Sequence, residues 1–271
     1  MAIVAFVHAH PDDECIVTAG TMAALADAGH RVVLVLATRG ELGEVPEGFL
    51  ADGESLTERR VQETMSAAEI LGVDRVVFLG YHDSGMAGEP TNDAASAFWQ
   101  ADLGEAARRL LAVLAEEGTD RLVTYDERGG YGHPDHVQVH RLGAAVAAAG
   151  AGVRVLEATM NRDHIRADRE ADGGGGGEDD GVEVGMPIER IHLGLDVRPW
   201  LDRKRAAMRA HRSQIAEESF FLSMPAERFE LVFGTEWYIR HDEPGGDTGP
   251  IVAAGLDDFL DAFPAPVSVD R

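Results

Sequence analysis

The sequence predicts an α/β protein with a Rossmann-like, mostly parallel sheet and helices on both faces. Apolar runs of strand length alternate with amphipathic runs of helix length across residues 1–160 of the 271-residue chain. Unbroken apolar runs are typical of parallel strands, which are buried on both faces of their sheet. Strands separated by helices of ten or more residues indicate βαβ units with right-handed crossovers.

The predicted elements follow in order from these runs. The predicted strands cover residues 1–7, 31–37, 75–79, 121–125 and 153–158. The predicted helices between them cover residues 14–28, 54–71, 95–117 and 136–149. A glycine stands directly after each of the first three helices, where a residue with positive φ commonly ends a helix. Because ligands of such sheets bind beyond the carboxyl ends of the strands, the loops that follow strands are the first places to look for a site.

We expect residues 1–160 to form the catalytic core and residues 161–271 to complete the same domain. This second part would also cover the active rim, which is the edge of the sheet formed by the carboxyl ends of the parallel strands. Five consecutive glycines, from Gly173 to Gly177, predict a flexible surface loop near residues 171–181. The other elements that we expect in this second part are short strands at 182–184 and 190–193, a helix at 199–214 and a late strand at 229–239.

Charge limits the classes of partner, and cysteine content bears on the cellular compartment. The chain carries 48 acidic and 24 basic residues, and its net charge of −24 repels phosphate backbones and anionic lipid surfaces. The single cysteine, Cys15, cannot form an intramolecular disulfide, which is consistent with a reducing compartment. No signal-peptide pattern and no apolar run of membrane-spanning length is found. We therefore expect a cytoplasmic protein that binds neither nucleic acid nor membrane, while homo-oligomer formation stays open.

The first candidate site is His10-Pro-Asp12-Asp13-Glu, which follows the first predicted strand and begins a helix. An imidazole and a carboxylate three residues apart across a tight turn can bind one metal ion, so His10 and Asp13 are candidate ligands. Asp12 would then point elsewhere and stay free of the metal. The alternative is that either aspartate caps the following helix, where a carboxylate accepts hydrogen bonds from free N–H groups.

A second His-Pro-Asp turn, Tyr131-Gly-His133-Pro-Asp135-His136, follows the fourth predicted strand. A single histidine at such a place is more simply explained as a loop or capping residue. Two such turns after strands of one parallel sheet lie on the same rim, so we expect them to meet. His136 would complete a His/Asp/His set, which leaves positions open for water and substrate as in catalytic zinc sites, and Fe²⁺ or Co²⁺ also suits these ligands.

These residue types together predict metal-dependent hydrolysis with an amine as leaving group. A bound metal lowers the pKa of water to roughly 7 and polarises a carbonyl. Asp12 can accept the proton of this water as general base. Tyr131 is the candidate stabiliser of the oxyanion. His133, oriented by the Asp135 carboxylate, is the candidate acid for the leaving amine, because a carboxylate neighbour raises the pKa of an imidazole.

With AHPDDE at residues 9–14 and HPDH at 133–136, the sequence resembles the zinc-dependent N-acetylglucosaminyl deacetylases of the PIG-L/LmbE type. Further similar segments are TRGE at 38–41, RRVQE at 59–63 and GYHDSGM at 80–86. The last segment and the glycine-rich second turn are similar to the branch of the family that acts in mycothiol metabolism. That branch contains a deacetylase for N-acetylglucosaminyl-inositol and an amidase for mycothiol S-conjugates.

The resemblance implies a substrate class that residue spacing does not give. It implies removal of an N-acetyl group from a small N-acetylglucosaminyl conjugate such as GlcNAc-inositol, with the zinc ligands, base and tyrosine already named and with His133 as general acid or electrostatic histidine. It also implies residues that hold sugar hydroxyls, which are Arg60, Asp83 and Glu41. Asp83-Ser-Gly is equally consistent with a simple turn.

Two other functions stay open at this point. The conjugate amidase type carries a lysine seven residues after the first motif histidine, where this sequence has Val17. That difference counts against an amidase that acts on a thiol conjugate, and an amidase that acts on an antibiotic intermediate stays an alternative. A non-catalytic sugar- or metal-binding member of the fold would need neither Asp12 nor His133, so the presence of both counts against this reading.

Overall fold

The computed structural model describes residues 1–171, 183–241, 243 and 250–263, and it contains one eight-stranded sheet. The strands are β1 (Ile3–His8), β2 (Arg31–Leu36), β3 (Arg75–Phe78), β4 (Arg121–Tyr125), β5 (Arg154–Thr159), β6 (Leu193–Asp196), β7 (Thr235–Arg240) and β8 (Ile251–Ala254). Their order across the sheet is β3-β2-β1-β4-β5-β7-β6-β8. Strands β1 to β5 are parallel, and β7 runs antiparallel to both of its neighbours. The predicted α/β class with a mostly parallel sheet is confirmed.

Helices cover both faces of the sheet. They are α1 (Asp13–Val17), α2 (Ala19–Asp27), α3 (Leu56–Leu71), α4 (Leu103–Glu117), α5 (Pro134–Ala148), α6 (Arg162–Ala171), α7 (Leu201–Ala210), α8 (Phe220–Ser223), α9 (Ala226–Phe233) and α10 (Leu256–Asp261). Alternate side chains of β1 enter opposite cores: Val4 and Phe6 pack with residues of α2, α3 and α7, and Ala5 and Val7 pack with residues of α4 and α5. Within the described ranges, no helix is both long and apolar enough to span a bilayer.

Two helices of the first half differ from their predicted bounds, and a hydrogen bond between a side chain and the main chain lies at each change. The helix predicted at 14–28 is interrupted at Thr18, which separates α1 from α2. The Thr18 hydroxyl donates to the main-chain carbonyl of Glu14, which also accepts the Thr18 N–H at 3.2 Å, and such a side-chain bond to the preceding turn often bends a helix. The helix predicted at 95–117 begins only after Asp102, whose carboxylate accepts the N–H of the third helical residue and caps α4.

The second half differs more from the prediction. The strand predicted at 229–239 is wrong in its first part, because helix α9 continues to Phe233 and β7 begins at Thr235. Phe229 and Phe233 are four residues apart and both are buried, which is the spacing of one helix face. Strand β6 begins where the strand predicted at 190–193 was to end. The glycines at 173–177 lie outside the described residues.

The strand order places the two candidate turns side by side. Strands β2 and β3 lie on one side of β1, and β4 and β5 lie on the other, so the winding reverses between β1 and β4. In sheets of this kind a crevice opens at the reversal, outside the carboxyl ends of the two strands. The loop after β1 carries His10, and the loop after β4 leads into helix α5 and His136.

Candidate metal centre and active site

Three side chains from the two turns meet at the crevice. His10 Nδ1 lies 3.4 Å from Asp13 Oδ2, and His136 Nε2 lies 3.3 Å from Asp13 Oδ1. The two imidazole nitrogens, His10 Nδ1 and His136 Nε2, are 3.3 Å apart. The structure therefore brings together the three predicted ligands, although His136 is 126 residues from His10 in the chain.

The other nitrogen of each imidazole fixes which atom carries the proton. His10 Nε2 lies 3.1 Å from Asp135 Oδ2, and His136 Nδ1 lies 3.1 Å from the carbonyl oxygen of Gly129. A carboxylate and a carbonyl can only accept, so both of these imidazole nitrogens donate. The nitrogens that face Asp13 consequently present lone pairs.

Two lone pairs and a carboxylate thus converge with no proton between them. Such an arrangement is stabilised by a cation, and its dimensions match one. Four ligands placed tetrahedrally at about 2.0–2.1 Å from Zn²⁺ lie about 3.3–3.4 Å from one another. The carboxylates of Asp13, Asp135 and Asp83 outweigh burial and raise the pKa of His10 well above its usual value, so this ring has negative surroundings that either a second proton or a bound cation balances. His10, Asp13 and His136 therefore fit a bound divalent metal ion.

Asp12 has a backbone conformation that separates its carboxylate from that of Asp13. Its φ is 106°, and among the residues that the structure describes it is the only non-glycine residue with positive φ. The carboxylate makes no helix-capping hydrogen bond, and it accepts from Arg60 Nη2 at 3.2 Å. Asp13 likewise accepts from the His10 N–H, upstream of the helix, so capping explains neither aspartate. Burial raises the pKa of Asp12 to about 6, against the opposing effect of Arg60.

The predicted pairing between His133 and the Asp135 carboxylate is absent. His133 is the N-cap of α5, and its Nδ1 accepts the main-chain N–H of Asp135 at 3.1 Å. The carboxylate of Asp135 is fully buried and bonds instead to His10 and Ser84. The expected rise in the pKa of His133 is wrong as well, because burial and the neighbouring His10 and His136 lower it to about 4. The neutral His133 ring carries its proton on Nε2.

Two buried side chains that the sequence analysis did not assign to the site support the ligands. Ser84 donates its main-chain N–H to Asp135 Oδ2 at 3.0 Å and its hydroxyl to Oδ1. Tyr125, the last residue of β4, stacks on His136 with ring centroids 4.7 Å apart and planes 16° from parallel. The Asp83-Ser-Gly turn was the available signal for Ser84, but the sequence does not reveal that Asp135 is its partner.

The glycine-rich loop before α5 allows the close approach of the second turn. Gly129, Gly130 and Gly132 all have positive φ. A side chain at Gly129 would place its Cβ 2.5 Å from the Cβ of His136, so only glycine lets this carbonyl accept from the ligand histidine. Tyr131 extends from the same loop, is partly exposed, and has its ring 5.0 Å from that of His136.

The residues expected to hold sugar hydroxyls lie next to the metal ligands. Arg60 is buried and donates to the carbonyl oxygens of Gly40 and Pro11 as well as to Asp12. Asp83 Oδ1 is 3.5 Å from His10 Nε2 and accepts the N–H of Gly85. These hydrogen bonds and the nearby imidazole overcome burial and hold the pKa of Asp83 well below its usual value. Their contact with sugar stays a prediction.

Glu41 reaches the candidate ligands only through Asp83, whereas Arg60 and Asp83 lie next to them. Its carboxylate accepts the main-chain N–H of Asp83 at 3.1 Å, and it lies 3.9 Å from His82 Nδ1. Unlike Arg60 and Asp83, it does not line the cavity that contains the metal ligands. Glu41 therefore orients the turn that carries Asp83, and direct contact with a sugar hydroxyl stays a prediction.

The metal ligands line a cavity of about 890 Å³, which is within the range of small-molecule sites. Arg60, Asp83 and Gln214 contribute polar groups to its wall. Helices α6, α8 and α9 and strand β7 contribute further residues to the lining, so the second half of the chain covers the active rim. The apolar part of the lining, here called the apolar wall, includes Ile16 and Val17 of α1 and Phe221, Phe233 and Trp237 of the second half.

Comparison with known proteins agrees with this geometry. The family model described as PIG-L, GlcNAc-PI de-N-acetylase, matches residues 5–147. The chain is 41% identical over 258 residues to the 1D-myo-inositol 2-acetamido-2-deoxy-alpha-D-glucopyranoside deacetylase of Acidothermus cellulolyticus, covering 86% of each chain. It is 39% identical over 283 residues to the enzyme of the same name from Thermomonospora curvata, covering 94% of each.

Solved structures share the fold at lower identity. The N,N'-diacetylchitobiose deacetylase from Pyrococcus horikoshii has a TM-score of 0.57 and 21% identity, covering 87% of this chain and 82% of that one. GalB, a 4-carboxy-2-hydroxymuconate hydratase from Pseudomonas putida, has a TM-score of 0.62 and 19% identity, covering 91% and 99%. Because a hydratase and a deacetylase share this fold, the reaction has to be argued from the site.

We expect Asp135→Asn to weaken metal binding and not only turnover. The amide would present either a donor or a weaker acceptor to His10 Nε2, so the ligand nitrogen would lose its fixed proton and orientation. Loss of such a supporting carboxylate typically lowers metal affinity by about 10- to 100-fold. Competition with a metal-binding dye measures this affinity.

Glu157→Gln is the matched control, since Glu157 is a buried carboxylate that pairs with His140 and contacts no metal ligand. Unchanged affinity in Asp135→Asn would contradict the role assigned to its carboxylate.

Proposed function

The chain belongs to the PIG-L family of GlcNAc-PI de-N-acetylases, and we propose that it removes the acetyl group of 1D-myo-inositol 2-acetamido-2-deoxy-α-D-glucopyranoside by metal-dependent hydrolysis. The relation to the named deacetylases, over most of both chains, carries the choice of substrate. The convergence of His10, Asp13 and His136, beside an Asp12 carboxylate that bonds to none of the three, supports the reaction type.

We propose Zn²⁺ as the metal, held by His10 Nδ1, the Asp13 carboxylate and His136 Nε2. Two imidazoles and a carboxylate are ligand types of catalytic zinc sites, and Fe²⁺ and Co²⁺ accept the same set. A bound divalent ion supplies polarisation of the acetyl carbonyl and a lowered pKa of water. A fixed tautomer on each histidine supports this assignment, because it leaves one lone pair per ring directed at the ion.

Residues of the chain move the protons in the proposed reaction. Asp12 lines the same cavity as the ligands without joining their hydrogen bonds, so its carboxylate takes a proton from the attacking water. The Nε2–H of His133 and the Tyr131 hydroxyl donate to the oxygen that becomes negative in the tetrahedral intermediate. When the C–N bond breaks, Asp12 returns its proton to the sugar nitrogen, and the products are acetate and an amine.

Of the two roles expected for His133, general acid or electrostatic histidine, this scheme favours the second. An acid for the leaving amine would need a second proton on the ring, but Nδ1 already accepts the main-chain N–H of Asp135. A helix N-terminus also disfavours an imidazolium, because the macrodipole is positive there. His133 therefore acts as a neutral donor, a role that the N-cap geometry supports.

Arg60 and Asp83 are the proposed contacts for sugar hydroxyls. Asp83 Oδ2 accepts only the N–H of Leu42, at 3.3 Å, among the described residues, and a carboxylate oxygen can accept a second donor. Glu41 acts through Asp83, since it accepts the main-chain N–H of that residue. A substrate hydroxyl at Asp83 would lie close to His10, which brings the sugar next to the metal ligands.

The competing functions have less support. A lysine at residue 17 would mark the conjugate amidase type, and Val17 instead contributes to the apolar wall of the cavity. A non-catalytic binding protein would have no need of the disfavoured backbone conformation of Asp12, because strain of this kind is retained mainly where a function depends on it.

The proposed substrate is tested by a panel of amides assayed through the amine they release. We expect GlcNAc-inositol to give a kcat/KM at least about tenfold above that of free N-acetylglucosamine, because the inositol adds contacts that only the larger substrate makes. A bulky cysteinyl amide of a thiol conjugate serves as the competing substrate. A higher kcat/KM for the conjugate would reject the deacetylase proposal in favour of the amidase.

We expect Asp12→Ala and His136→Ala to separate the base from the ligands. Asp12→Ala should keep one metal per chain and lose roughly 10²- to 10⁴-fold in kcat, which is the usual range for loss of a general base. His136→Ala should lose the metal together with activity, because Asp13 and His10 alone form an incomplete site. Elemental analysis of the purified variants and their kcat values provide the measurement. Wild-type turnover in Asp12→Ala would contradict its assignment as the base.

A further inference from the structure

Two fully buried ionisable groups next to the metal centre are not used in the mechanism above. Glu14 follows the metal ligand Asp13, and His211 lies 197 residues away at the end of α7. Their side chains are 0% exposed, and His211 Nε2 lies 2.6 Å from Glu14 Oε1. A buried carboxylate without a partner is strongly unfavourable, so this hydrogen bond explains how Glu14 can be ionised there.

The second oxygen of Glu14 holds the backbone of Asp12. Glu14 Oε2 accepts the main-chain N–H of Asp12 at 2.9 Å. The carbonyl oxygen of Pro11, at the other end of the same peptide group, accepts from Arg60 Nη2. The Pro11–Asp12 peptide plane is therefore fixed from both sides, by a carboxylate at its N–H and by a guanidinium at its oxygen.

The orientation of this peptide plane sets the direction of the Asp12 side chain. The φ angle of Asp12 describes rotation about the N–Cα bond that joins this peptide plane to the Asp12 Cα. Its value of 106° is disfavoured for a residue with a Cβ. Such a conformation persists only where surrounding contacts determine it. Without an acceptor at Glu14, the plane could rotate toward a negative φ, and the Asp12 carboxylate would move away from its place beside the ligands.

We propose that Glu14 and His211 are positioning residues that hold Asp12 in its reactive orientation. Glu14 acts on the Asp12 N–H directly, and His211 acts through Glu14 by donating to its other oxygen. The proposal rests on Asp12 as the base of the proposed function. It also gives the second half of the chain a part in the catalytic loop, since His211 lies beyond the segment that matches the family model.

Isosteric substitutions at Glu14 test this role. Glu14→Met fills a similar space and offers only a weak acceptor, its thioether sulfur, so we expect kcat to fall by about 100-fold, the size typical of a displaced catalytic group. The metal content should stay near wild type and KM should change much less than kcat, because Glu14 bonds to no metal ligand and Arg60 keeps its bond to Gly40. Glu14→Gln can still accept the Asp12 N–H, and we expect its kcat within about tenfold of wild type. A Gln variant as slow as the Met variant would overturn the proposal, because charge rather than the hydrogen bond would then matter.

Glu63→Met is the matched control. Glu63 is also a buried carboxylate, and it accepts two hydrogen bonds from Ser213, which lies two residues after His211. The Ser213 N–H donates at 2.9 Å and the Ser213 hydroxyl at 2.6 Å. Among the residues that the structure describes, Glu63 has no hydrogen bond to the loop that carries Asp12. We expect a comparable loss of thermal stability with kcat within about threefold of wild type. An equal fall of kcat in this control would overturn the proposal, because any buried carboxylate would then produce it.

A double-mutant cycle separates this proposal from the proposed function. In the Asp12→Ala background, Glu14→Met should change the residual kcat by less than about twofold, because the group that it orients is gone. A further 100-fold loss in that background would show that Glu14 acts elsewhere, and it would overturn the positioning role while leaving the base intact. Full activity of Asp12→Ala alone would reject the base itself. If Glu14→Met does not fold, Glu14→Asp takes its place, since its carboxylate is too short to reach both Asp12 and His211.

Discussion

The convergence of two imidazole lone pairs and one carboxylate is the constraint on which the rest of the site depends. His10, Asp13 and His136 present acceptors to one another at 3.3–3.4 Å, and a cation is needed to stabilise them there. Neither histidine could hold this orientation alone. The Asp135 carboxylate and the Gly129 carbonyl each fix one ring by accepting from its far nitrogen.

The fold satisfies this constraint through features that are distant in the chain. The reversal of strand order between β1 and β4 brings the two turns together, and Gly129 allows the main chain to pass close enough to accept from His136. The second half of the chain adds His211, and it adds Phe221, Phe233 and Trp237 to the apolar wall of the cavity. Since GalB shares the fold but is a hydratase, this arrangement of side chains, and not the topology, carries the argument for deacetylation.

The sequence predicted the parts of the structure that depend on local pattern. Apolar runs alternating with helical periods predicted the parallel sheet, and β4 agrees with its predicted bounds. The two His-Pro-Asp turns predicted that the three candidate ligands meet, because both turns follow strands that a parallel sheet must align. Helix α9 was missed because Phe229 and Phe233 were read as part of a strand, although their spacing of four also suits a helix.

Contacts that depend on side-chain direction could not be predicted in the same way. Asp135 stands two residues from His133, and nearness in sequence suggested that their side chains pair. The start of α5 at Pro134 instead turns the Asp135 carboxylate toward His10 and leaves its N–H for His133. The contact between Glu14 and His211 joins residues 197 apart, and no spacing rule connects them.

The most direct test of the account is a crystal structure of the active protein with anomalous diffraction data collected at the absorption edge of its metal. We predict one anomalous peak within about 2.0–2.2 Å of His10 Nδ1, an Asp13 carboxylate oxygen and His136 Nε2. A peak held by other residues, for example Glu14, Cys15 and His211, would contradict the account. Full activity in crystals without a peak at the three ligands would contradict it equally.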